Sequence, residues 1–174
     1  MHNFTELIDR CTTFTLKNLK ETNDKTTEAL QTSGATSLVK TLQMIQLQKT
    51  ILAVGMLSIF EAHLQEGLSC NNGFSEAKKI LNDENKVDLE ERFNNLLLAI
   101  NVLKHGYGHS YNILIEKSKV LPFKIKLPEE YFFFEGDVSE ISTLIDVDDV
   151  FVQHCADVIK DVSNVIRQVH PDFT

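Results

Sequence analysis

The chain has little of what interrupts or staples a fold. Only three prolines and seven glycines occur in 174 residues. Long stretches contain neither, which argues against a many-turned β architecture and favours helices. Cys11, Cys70 and Cys155 are odd in number, widely spaced and without a CxxC pair. They exclude a disulfide frame and read as reduced, buried thiols. Lys and Arg form no run, and a formal net charge of −8 removes any global attraction to nucleic acid or anionic membrane. Met1-His2-Asn3-Phe4 shows no basic stretch leading into an apolar core, so no secretory signal is read there and the cytoplasm is expected. Internal repeats and low-complexity segments are absent as well.

What is present is an ordinary globular balance, 43% hydrophobic and 24% charged, on a chain long enough for one domain with a real core. Phe4, Leu7, Ile8, Cys11 and Phe14 recur at helical steps. From Lys20 to Gln31 the pattern turns polar, fitting either a helix projecting into solvent or a loose connection, and Thr32-Ser33-Gly34 breaks it. The longest apolar pattern runs from about Thr36 to Leu68. Its density between Ile51 and Phe60 predicts a central helix surrounded on most sides. Gln46, Gln48 and Lys49 cut the run short of the ~20 residues that a bilayer needs, so it is not read as a membrane span. Cys70-Asn71-Asn72-Gly73 forms a turn, Ser75 is the expected cap of a short helix through Asn82, and Val87 to His105 forms the next helix. A shorter one is expected from Ser110 to Lys117.

Beyond this the character changes. Leu121 to Pro128 alternates apolar and basic residues between two prolines, the pattern of a short edge strand or extended arm. Tyr131-Phe132-Phe133-Phe134 follows, and its phenylalanines are expected to anchor the arm on the bundle. A last helix is expected from Asp146, as N-cap, to Val169, ahead of Pro171. The predicted fold is therefore all-α: a bundle of five or six helices over residues 1–118 and 146–169, with an extended, β-like aromatic arm at 119–136.

The chemistry concentrates where the helix at Val87–His105 ends. Phe93, Leu96, Ile100 and Leu103 share its core face, while Glu90, Asn94, Asn101 and His105 form a polar stripe interrupted by Leu97. Gly106 and Gly108 end the helix and let other groups approach closely. Asn101 and His105, one turn apart, suit a general base and its orienter. They equally suit a helix-terminal histidine favoured by the macrodipole and bonded to the asparagine. His105 and His109 have a metal-ligand spacing, but the glycines between them interrupt the helix and no Glu-x-x-His accompanies them, so no metal and no cofactor is expected. Glu61, at the end of the central apolar run, is a candidate acid. Lys104, Lys117, Lys119, Lys124 and Lys126 are a candidate basic rim. The aromatic quartet fits base stacking or an interface.

Ile100-Asn101-Val102-Leu103-Lys104-His105-Gly106 resembles the Arg-Asn-x-x-x-His-Gly run that typifies HEPN domains, with isoleucine in place of the arginine. Ile59-Phe60-Glu61-Ala62 is similar to the end of that family's earlier helix, and the likeness covers roughly Leu52 to Ser110. The resemblance implies a small helical bundle, a homodimer with its cleft at the subunit interface, and metal-independent cleavage of RNA, as in prokaryotic defence or toxin systems. In a second register, Lys104 through His109 supply the cation and the base of the Arg-x4-His element. The family arginine makes a bidentate fork that neither Ile100 nor Lys104 reproduces. The expectation is therefore a non-catalytic or weakly catalytic module binding RNA, a nucleotide or a protein partner. Its candidate site residues are Asn101, Lys104, His105, His109 and Glu61. The alternatives are a metal-independent endoribonuclease using His105 with Lys104 or His109, and a purely structural interaction bundle.

Overall fold

The apolar spacings fold as helices throughout. A computed structural model describes residues 4–173; the reading of residues 1–3 lies outside them. Six helices follow in order: α1 (Phe4–Leu30), α2 (Thr36–Gly67), α3 (Gly73–Asp83), α4 (Val87–His105), α5 (His109–Glu116) and α6 (Asp149–Val169). The only β pairing among the described residues is an isolated antiparallel bridge between Ile125 and Ile145.

α1 continues unbroken through the polar stretch after Leu19. Thr22 and Thr26 donate their hydroxyls to the carbonyls of Asn18 and Thr22, and Leu19 joins Leu42, Ile45 and Leu30 in a small second core. The Phe4 ring stacks on Phe60, and the Thr12 hydroxyl donates to Met56 Sδ at 3.2 Å, so α1 lies antiparallel on α2. α6 is the most fully engaged helix. Phe151, Val152, Cys155, Val158, Ile159, Val162 and Ile166 are all buried, and α1, α2, α3 and α4 pack around it.

α2 departs from expectation. Ala53, Met56, Leu57, Phe60 and Leu64 face the core, but Met44, Leu47, Ile51 and Ile59 are exposed, Ile51 by 61%. The helix is not surrounded; it turns an apolar stripe outward. By length and composition it is apolar enough to cross a membrane. Its one mid-helix charge, Lys49, pairs with Asp149 of α6 at 2.8 Å.

Two expected caps shift. α3 starts at Gly73 with Asn72 as N-cap, whose side chain accepts from the Ser75 N–H. α6 is capped by Asp148, which accepts from Phe151 N–H, while Asp146 is drawn away because its N–H donates to Lys124 O beside the bridge. The thiols differ too: Cys155 is buried, Cys70 is intermediate and Cys11 is exposed, all three free.

The arm is held by other residues than the aromatic quartet. Phe123 and Ile125 are buried under it, and the Tyr111 hydroxyl donates to Lys126 O at 2.7 Å. Lys126 lies almost wholly buried in an ion pair with Glu140 at 2.6 Å, and Glu140 also accepts from the Phe133 N–H. This staple turns the aromatic tip outward, leaving Tyr131, Phe132 and Phe134 exposed.

Candidate functional site

The candidate residues fall into two groups. On α4 the core face is as read: Phe93, Leu96 and Ile100 are buried, so Ile100 is committed to packing. Asn101 and Lys104 sit on the opposite, exposed side. Across from them Glu61 rises from α2, half-buried, and α3 closes the third wall.

α3 comes this close because of one residue. A β-carbon on Gly73 would stand 2.6 Å from Leu64 Cβ and 2.8 Å from the Glu61 carbonyl. Glycine removes that collision and seats the first turn of α3 directly on α2 beside Glu61. The result is a cleft of about 320 Å³ between α2, α3 and α4. Glu61, Asn101 and Lys104 line it, joined by Asn94 on α4 and Ser75 and Lys78 on α3. Lys78 Nζ donates to Asn94 Oδ1 at 3.3 Å, across the two helices. Phe74 forms an apolar part of the wall, edge-on to Phe93.

His105 and His109 are outside this set. His105 is the last residue of α4 and is exposed. Gly106 takes φ 73° and stops the helix, its N–H donating to Val102 O at 2.8 Å. His109 opens α5, also exposed. Lys104 and His109 thus lie on different helices, and no continuous helix fixes their spacing. Asn101 and His105 make no side-chain hydrogen bond with each other or with any other described residue. The orienter-and-base pair and the capped-histidine pair are therefore both unformed. Among the described residues no group of three or more His, Cys, Asp or Glu is placed to hold a metal ion.

The basic rim does not assemble either. Lys117 pairs with Glu91 at 3.0 Å, Lys126 is consumed by Glu140, and the Lys124 ammonium lies 3.9 Å over the Phe134 ring. The cation that does join Lys104 is Lys78, which sequence reasoning passed over. Its signal was the i, i+4 step from Phe74, which places both residues on one face of α3. Nothing in the sequence tells which neighbour that face meets.

His63 and His154 are core-edge residues. His63 stacks on Phe4 with ring centroids 4.4 Å apart. His154 is held below the usual histidine range by burial and then by the nearby Arg92 guanidinium. No family model, curated protein or solved structure matches this chain.

Proposed function

We propose that the chain is a HEPN-like helical binding module that takes RNA or a nucleotide in the α2–α3–α4 cleft and does little or no chemistry on it. One observation carries this reading: Asn101, Lys104 and Glu61, distant or differently oriented in sequence, line one polar cleft, whereas both histidines stand outside it. A base outside hydrogen-bond reach of the bound group gives no proton transfer. Ile100 is packed into the core and offers nothing to a phosphate.

The module works as a homodimer, through the outward stripe of α2. From Thr41 to Phe60 that helix carries no charge except Lys49, already paired with Asp149. A face that meets its own copy about a two-fold axis needs freedom from like charges, and this one has it. Leu7 and Phe14 on α1 are exposed as well. The same stripe supports the alternative reading, a bundle that binds only protein.

The discriminating experiment incubates the protein and a His105→Ala variant with mixed RNAs in EDTA. RNA retained but left intact by both proteins is the expected result. Cleavage lost in the variant would establish the ribonuclease instead, and no retention at all would leave the protein-binding bundle.

A further inference from the structure

We propose that the cleft is built for a phosphate monoester, the charged terminus of a nucleotide or of an RNA strand; this deepens the reading above and rests on it. The argument begins with Lys78. The residue is partly buried, and the one partner of its ammonium is the neutral carbonyl oxygen of Asn94. No carboxylate among the described residues pairs with it, which leaves its charge open to an anionic ligand. Lys104, on the facing helix, makes no ion pair with any described residue. Two cations against the single carboxylate of Glu61 make the cleft locally positive on a chain whose net charge is −8.

The donor inventory fits the same ligand. Lys78 keeps two of its three N–H groups, and the Asn94 amide nitrogen keeps both of its own, because only the carbonyl oxygen is engaged. Asn101, Ser75 and Lys104 bring further donors. A monoester offers three terminal oxygens and about −1.5 to −2 charges at neutral pH. An internal phosphodiester offers only two free oxygens, fewer than the donors gathered here can engage. Glu61 restricts the site further: its carboxylate repels a second phosphate but accepts from a ribose hydroxyl or a base N–H. Phe74 gives the nucleoside an apolar surface. The volume, about 320 Å³, suits one nucleotide in place of a strand passing through.

The test titrates the full-length chain with one short labelled RNA in three forms, 5′-phosphorylated, 3′-phosphorylated and with both ends hydroxyl, and separately with AMP. At least one phosphorylated form is expected to bind tenfold or more tighter than the hydroxyl form. Lys78→Met should bring that ratio close to one, with unchanged circular dichroism, and Lys78→Arg should restore most of it. The advantage should shrink below about pH 6, where the phosphate takes up its second proton. Tight AMP binding with weak RNA binding would keep the monoester site and assign it to a free nucleotide, and RNA binding would then fail separately. Equal binding of all three RNAs would overturn the monoester site while leaving RNA binding intact. Loss of all binding, AMP included, would remove both.

Discussion

α6 and α2 are the two long apolar helices of this bundle, and they use their apolar residues differently. On α6 the apolar positions form one face, and nearly all of them are buried; only Val150 and Val169 remain exposed. On α2 the apolar residues surround the helix, and the neighbours α1, α3, α4 and α6 cover only part of it. Hydrophobic sequence therefore predicts burial only when it is confined to a stripe. An apolar helix without a polar face buries what its neighbours reach and exposes the rest. On α6 the pattern serves the core alone, whereas the outer face of α2 serves nothing inside the monomer.

The contrast is testable at its extremes. Phe151 on α6 is 1% exposed and stacks edge-on with Phe123 at 5.3 Å, tying the arm to the bundle. Phe151→Ala should cost about 3–5 kcal/mol of unfolding free energy, read by urea denaturation. Ile51→Ser on α2, a loss of comparable apolar character, should change the stability of dilute protein by no more than about 0.5 kcal/mol. Its effect should appear instead in sedimentation, as loss of self-association. Equal destabilisation by both substitutions would show that the outer face of α2 already contributes to the monomer.

The two glycines of this region give a smaller contrast, with opposite signs. At Gly73 an added methyl meets Leu64 and the Glu61 carbonyl. Gly73→Ala should destabilise by about 1–3 kcal/mol through overpacking and pry open the cleft. At Gly55, within α2, nothing lies within 4 Å of the added methyl. Gly55→Ala should therefore stabilise dilute protein by up to about 1 kcal/mol, the ordinary helix-propensity gain. Thermal melts of the two variants, moving in opposite directions, are the check.

These contrasts also mark where the sequence is readable. Helix number, order and most boundaries follow from local periodicity, because each helix needs only its own residues to satisfy its backbone. The α4 corner is legible for the same reason: Ile100 inward, Asn101 and Lys104 outward and Gly106 as the stop are all consequences of one helix. What crosses between helices is not legible. Lys78 reaches the cleft because Gly73 lets α3 nest on α2, a tertiary fact. Asp146 and Asp148 are equally good caps by type, and the pairing of Asp146 with Lys124 across the bridge decides between them. The aromatic quartet looks like an anchor until Glu140, six and seven residues after Phe134 and Phe133, takes their N–H groups and turns them outward.

Asp146 itself provides the smallest predicted effect, at the joint between the compared helices. With Gln46 and Thr50 of α2 and Asp148 at the start of α6, it lines a second cavity, under the arm, of about 200 Å³. Burial, then the neighbouring Asp148 carboxylate, holds its carboxyl above the usual range, against the opposing pull of Lys124. The folded state therefore binds this proton more tightly than the unfolded state. As pH rises from the ordinary carboxylate range through the raised value, unfolding releases the proton and stability falls. Above that window the loss is complete and constant. Asp146→Asn carries no charge at any pH and escapes the loss. The variant should melt about 2 °C above the wild type at pH 7, with the gap closing below about pH 4. A gap that widened on acidification would mean that the Asp146 carboxylate is stabilised by Lys124, and that the joint between α2 and α6 is held by charge, not by packing.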